Sequence, residues 1–161
     1  TPSSHVGVLA TPGTVQSRSY VLEINHFFPE IQVFQQACPM WVPLIENNEH
    51  DGPGADYFVE KYVGELLAQS GRIDAVILGC THYPLMLHKI RRIVPAPIRV
   101  LAQGDIVAER LADYLARHPE MESQCRKTGQ RAFFTTETPE VFDTKASLFY
   151  GQEVCSRHFE L

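Results

Sequence analysis

Cys80, Thr81 and His82 place a thiol, a hydroxyl and an imidazole on three consecutive residues, directly after Gly79. Such a set can move a proton or form a covalent bond, because a thiolate is both a base and a nucleophile and an imidazole can assist it. The short apolar run up to Leu78 stops at Gly79, which reads as a buried strand, and Pro84 suits the first turn of a following helix. The three residues therefore fall between a strand's carboxyl end and a helix's amino end, where open α/β sheets bind small ligands. A helix end there favours the thiolate through its free N–H groups and partial positive charge. A lone Cys is most often a small core hydrophobe; the glycine before it and the Thr and His after it favour the reactive reading.

Two other stretches carry polar groups at the ends of apolar runs. Thr11-Pro12-Gly13-Thr14 and Ser17 follow the first such run, and hydroxyls with a glycine at a helix start suit a carboxylate or phosphate. An ordinary capped helix start has the same composition. It is not a phosphate-binding G-x-x-x-x-G-K-[ST] loop, whose pattern is absent. Glu46 closes the run Trp41-Val42-Pro43-Leu44-Ile45, and is either a solvated end residue or the carboxylate that orients a histidine. Cys38, Cys125 and Cys155 have no such company and read as structural thiols. With no C-x-x-C pair, the four cysteines form neither a zinc pattern nor a disulfide framework.

The elements that must position these groups alternate. Val6–Ala10 reads as a strand, Thr11–Thr14 as a loop and 15–26 as a helix. Ile31–Gln35 is a second strand and Tyr57–Ser70 a helix with Val59, Val63, Leu66 and Leu67 at helical spacing. Asp74–Leu78 is a third strand, Pro84–Ile93 a helix and Ile98–Leu101 a fourth strand. Asp105–Arg117 is helical, with Ile106, Leu111 and Leu115 on one side. This order implies an α/β fold, a parallel sheet with helices on both faces. The remainder reads as a polar loop over 118–130, a short strand over Arg131–Thr135, a helix over Pro139–Tyr150 capped by Thr138, and an ambiguous end. It is too small to fold as its own domain.

Length and composition set the outer bounds. The 161 residues suffice for one domain with a core, and 44% hydrophobic with 20% charged residues is ordinary for a globular protein. A net charge of −5 without a basic run gives no reason to expect nucleic acid or an anionic membrane as partner. No apolar run reaches the ~20 residues of a membrane span, and no signal pattern opens the chain. Reduced thiols in the cytoplasm are the simplest expectation. A first residue of Thr, running at once into a strand, suggests a start within a longer parent.

Three segments together resemble glutamate racemase and its aspartate/glutamate racemase superfamily: Gly7–Ser17, Ala37–Glu46 and Leu78–Leu85, in the family's order and spacing. Residues 98–112 and 131–151 resemble the family's weaker tail. The family's amino-terminal part, with an Asp-Ser-Gly turn and an Ala-Cys-Asn-Thr turn bearing the other catalytic cysteine, has no counterpart here. The resemblance implies one domain of a two-domain, pseudo-symmetric racemase over residues 1–105, with 106–161 a tail that completes the first domain. It also marks Gln103 as a departure, since the family often has Ser there.

What the resemblance implies about chemistry is cofactor-independent racemisation of L- and D-glutamate, supplying D-glutamate for peptidoglycan. Cys80 would exchange the Cα proton on one face, His82 would pair with it, and Glu46 would lie within hydrogen-bond reach of His82 and orient it. Thr81, together with His82 and, less directly, Thr11, Thr14 and Ser17, would contact substrate. No metal and no pyridoxal-type cofactor is implied. Implied partners are glutamate, the amino-terminal part of the parent chain and a second copy in a homodimer. Racemases for aspartate or hydantoins, a Cys–His thiol hydrolase with Cys80 as nucleophile, and a non-catalytic role for the isolated chain stand as alternatives.

Overall fold

The computed structural model describes residues 2–160 and divides into two compact units, one up to Ala108 and one from Glu109. The first unit is built on β1 (His5–Ala10), whose six residues are all buried. It pairs in parallel with β2 (Gln32–Ala37) on one side and β3 (Ala75–Leu78) on the other, and β3 pairs with β4 (Arg99–Ala102), giving the order β2-β1-β3-β4. All four strands run the same way, so their carboxyl ends lie along one edge. Leu9 pairs with both Gln36 and Leu78, and Ala102 with Leu78.

The period of two along β1 divides the core. Leu9, Val76 and Leu78 belong to the larger cluster, with Trp41, Ile45, Val59, Val63, Leu66, Tyr83, Met86 and Ile90. Those partners come from α3 (Trp41–Glu46), α4 (Pro53–Gln69), a 3-10 turn (Tyr83–Met86) and α5 (Leu87–Ile93). Val6, Val8 and Ala10 form the second cluster, covered by Val15, Tyr20, Ile31, Val33 and Ile77 from α1 (Pro12–Ser17), α2 (Ser19–Phe27) and neighbouring segments. Helices therefore cover both faces, as expected. α4 buries Ala55, Val59, Tyr62, Val63 and Leu66 on one stripe; each large aliphatic side chain so buried contributes about 1.5–3 kcal/mol. Gly7 lets it approach closely, since a Cβ there would stand 2.7 Å from Leu66 Cδ2.

Several expected elements differ. The helix expected over 15–26 is two helices, starting already at Pro12 and broken at Arg18, which adopts the left-handed conformation (φ 55°, ψ 21°). Its N–H closes α1 on the Val15 carbonyl, and its own carbonyl accepts from Leu22 to open α2. Nothing in apolar spacing announces such a single-residue switch. The second strand runs on to Ala37, and the helix expected from Pro84 opens as a 3-10 turn.

The division between units falls within α6 (Gln103–Arg117), none of whose residues is buried. Ile106 and Leu111, expected on an apolar side, are 45% and 55% exposed. The second unit continues with α7 (Pro119–Glu122) inside the expected polar loop, β5 (Phe133–Thr135), α8 (Pro139–Tyr150) and β6 (Ser156–His158) in the ambiguous end. β5 and β6 pair in parallel, and the Asp143 carboxylate accepts from Ser156 N at 2.9 and 3.1 Å to hold the return from α8. Thr138 sits at the expected cap position of α8 without a side-chain cap bond. Among the described residues, no helix is long and apolar enough to cross a membrane.

Candidate active site

Cys80, Thr81 and His82 lie in the turn that leaves the carboxyl end of β3. Gly79 N donates to Leu9 O at 2.8 Å, so the chain keeps its sheet register one residue beyond the strand. It then turns: Tyr83 N donates to Cys80 O at 3.3 Å and Leu85 N to His82 O at 3.1 Å, with Pro84 in the 3-10 turn. Tyr83 and Met86 are fully buried and anchor the turn from below. The Tyr83 ring meets Trp41 edge-on at 4.7 Å, which ties the turn to α3.

That packing determines where Glu46 goes. Glu46 is the last residue of α3, and its Oε1 lies 3.2 Å from His82 Nε2. On the other side of the ring, His82 Nδ1 lies 3.9 Å from Cys80 Sγ. Carboxylate, imidazole and thiol thus form one continuous line. With Glu46 ionised its oxygen accepts from Nε2–H, which leaves Nδ1 as the acceptor facing the thiol. The His82 side chain is 24% exposed and that of Glu46 is 39% exposed, so the relay is shielded but open to solvent at its carboxylate end.

The helix amino end expected beside the thiol is a four-residue 3-10 turn followed by the seven-residue α5. Pieces so short sum few peptide dipoles, so the group best placed to act on the thiol is the imidazole. Cys38, expected to be structural, is buried at the end of β2, and burial pushes its thiol well above the ordinary range. Cys125 and Cys155 are free and exposed.

Thr11 and Thr14 hydrogen-bond to each other at 2.9 Å, and Ser17 Oγ donates to Thr14 O at 2.8 Å. Thr11 follows β1 and Cys80 follows β3 by one glycine, so both leave adjacent parallel strands at the same edge of the sheet. The cleft beside Cys80, about 340 Å³, is nevertheless lined by Tyr20, Gly79, Thr81, Pro84 and Gln103, not by Thr11, Thr14 or Ser17. α1 has only six residues, too few for the helix-end anion site its composition suggested. Tyr20 and Gln103 were not singled out as site residues from sequence. Gln103 was traceable, because it follows β4 directly and so belongs to the carboxyl edge that binds ligands in such sheets. Among the described residues, no group of three or more His, Cys, Asp or Glu is placed to hold a metal ion.

Residues 3–111 match the family model described as Asp/Glu/Hydantoin racemase. The chain belongs to this racemase family. Among curated relatives it is similar to the glutamate racemase of Roseobacter denitrificans, 38% identical over 150 residues that make up 93% of this chain and 54% of that protein. It is also 33% identical to the glutamate racemase of Streptococcus pyogenes serotype M1 over all 161 residues, 60% of that protein. Among solved structures, glutamate racemase RacE1 of Bacillus anthracis superposes with a TM-score of 0.85 at 25% identity, covering 100% of this chain and 59% of that one. The Francisella tularensis glutamate racemase, solved in complex with D-glutamate, gives 0.78 at 27% identity over 98% of this chain and 57% of that one. This racemase-family chain thus spans somewhat more than half the length of these relatives.

Proposed function

We propose that the chain carries one of the two proton-exchanging halves of a glutamate racemase, with Cys80 as its base. The observation that carries this reading is the line from Cys80 Sγ through His82 to Glu46, with spacings of 3.9 and 3.2 Å, at the carboxyl edge of a parallel sheet. Racemisation removes the weakly acidic Cα proton from one face of glutamate and returns a proton to the other, which needs two opposed bases. Cys80, its proton passed to His82, takes the Cα proton on its face and becomes the thiol. The carbanion is then protonated from the opposite face by a second thiol. In the reverse direction Cys80 is the donor. Glu46 holds the ring in the tautomer that keeps Nδ1 turned to sulfur, and Thr81 offers a hydroxyl to the substrate, with Thr11, Thr14 and Ser17 further along the same edge.

The second thiol belongs to the part of the protein that the relatives have beyond this chain's span. The tail from about residue 106 completes the domain that bears it. That assignment is supported by the exposed apolar residues of α6 and by Phe134, Val141 and Phe159, each more than half exposed in a unit whose buried residues, among those described, are Thr135 and Val154. The reading carries with it a cytoplasmic enzyme, active without a cofactor, that supplies D-glutamate to peptidoglycan, and a homodimer. Glutamate is the substrate chosen because every relative named above is a glutamate racemase.

The test is solvent exchange at Cα. In deuterated water the complete racemase should exchange the Cα proton of both enantiomers of glutamate, followed by proton NMR, while the 161-residue chain alone should give no L-to-D conversion by circular dichroism. Racemisation by the chain alone, abolished by Cys80→Ser, would show that one thiol suffices and that the two-base assignment is wrong.

A further inference from the structure

We propose that Tyr20 and Gln103 form a latch that sets the position of the Cys80 turn, acting as positioning residues behind the reacting thiol. The inference rests on Cys80 being that thiol. Gly79, the residue before it, is clamped. A Cβ at this position would lie 3.1 Å from Tyr20 Cε2, 3.1 Å from the Ala10 Cβ and 3.2 Å from Leu9 O. The space beside the backbone that carries Cys80 out of the sheet is therefore filled by strand β1 and the edge of an aromatic ring, which leaves little room for any residue but glycine.

The ring is itself held at both ends. Its body packs against the second core cluster of Val6, Val8 and Ala10, as do Val15, Ile31, Val33 and Ile77. Its hydroxyl accepts a hydrogen bond from Gln103 Nε2. Gln103 opens α6 directly after Ala102, and Ala102 pairs with Leu78 in the sheet. The latch thus runs from α2 to the end of β4, across the end of β3 where the catalytic turn begins, and forms one wall of the cleft beside Cys80. The left-handed Arg18 reorients the chain just ahead of Tyr20. A serine at position 103, as in the resemblance noted above, has too short a side chain to repeat this bond from the same backbone position.

Removing the hydroxyl or the amide leaves the ring anchored by packing alone, so the turn gains freedom and Sγ gains access to solvent. The experiment is native-state alkylation of the 161-residue chain with iodoacetamide, followed at Cys80 by peptide mass spectrometry. Tyr20→Phe and Gln103→Leu should each speed alkylation of Cys80 about two- to tenfold, the scale of one net hydrogen bond. The double variant should be no faster than either single, because both remove the same bond. Cys38 should stay protected throughout, reporting an intact core. In the complete racemase the same substitutions should lower kcat, counted per folded molecule with protection of Cys38 as the measure of folded protein, by a similar factor with KM changed less than about twofold.

Unchanged alkylation in both single variants, or additive effects in the double, would overturn the latch. If Gln103→Leu also exposes Cys38, the milder Tyr20→Phe, which keeps the ring on Gly79, decides. Failure of the racemase reading would register separately, as turnover surviving Cys80→Ser, and would leave the alkylation comparison intact.

Discussion

Two cysteines leave parallel strands at the same edge of one sheet and meet opposite fates. Cys38 follows β2 and Cys80 follows β3 by one glycine. Cys38 is 1% exposed; its N–H donates to Ala10 O at 2.9 Å and its thiol faces Gln36 O at 3.7 Å. The chain after it runs through Pro39 into α3, whose Trp41 seals it in. Cys80 is half-buried, lines a cleft and has an imidazole 3.9 Å away. Position at the carboxyl edge is thus insufficient to bring a thiol to a cleft and an imidazole. The features that separate the two are the glycine that extends Cys80 past the sheet and the histidine two residues on.

The comparison breaks most visibly if the two cysteines respond alike to substitution. In the complete racemase, Cys80→Ser should lower the rate of racemisation by about 10³-fold, within the usual range for a general base, whereas Cys38→Ala should leave turnover within about threefold. A circular dichroism assay of L- to D-glutamate conversion measures both. Equal losses would mean that Cys38 takes part in the reaction.

A smaller effect sharpens the reason for the difference. Glu46→Gln keeps the shape of α3 but gives up the ionised acceptor at His82 Nε2, so it should lower kcat by roughly ten- to hundredfold through misorientation of the ring. An effect confined to KM would place Glu46 in substrate binding instead.

Stability tells the two turns apart in the opposite direction. Cys38→Ala removes a buried sulfur and should cost about 1 kcal/mol in chemical denaturation, while Cys80→Ser should cost less. The pH dependence follows from linkage. Burial raises the Cys38 thiol in the folded state, so the folded chain keeps its proton where the unfolded chain releases it. That contribution is whole below about pH 8.5, the ordinary thiol value, and declines as pH rises, by at most about 1.4 kcal/mol per pH unit. The buried Tyr83 phenol, also raised, adds to the decline above about pH 10. Cys38→Ala should flatten the first part of this fall in unfolding free energy, and an unchanged slope would assign it elsewhere.

The smallest expected effect lies on the contact between the turns. Tyr83 OH donates to Cys38 O at 3.5 Å, a long bond, so Tyr83→Phe should cost no more than about 1 kcal/mol and leave Cys38 protected from iodoacetamide. Labelling of Cys38 in that variant would show that the two turns depend on each other more than their geometry indicates.

Much of this arrangement was legible in the residues themselves. The apolar run ending at Gly79, the Pro at 84 and the alternating elements placed Cys80 at a strand's carboxyl end in a parallel sheet, because apolar periodicity and backbone-restricting residues act locally. Glu46 is a different case. It lies 36 positions before His82, and its ambiguity as a solvated end residue could be narrowed from sequence only through resemblance to a family. Arg18, whose left-handed backbone splits one expected helix into two, left no mark in the pattern. The same holds for β6, a three-residue strand that exists only because β5 offers it an edge.

Local sequence, then, determined the kinds of element, their order and the chemical groups set at their ends, since strand and helix preferences depend on residues within a few positions of one another. Tertiary structure decided which of those groups meet. The shared core of Trp41 and Tyr83 brings α3 to the turn and so Glu46 to His82. The pairing of β3 with β4 brings Gln103 within reach of Tyr20, 83 positions away. Contacts at such separations form only when the whole core packs, and no window along the chain contains both partners.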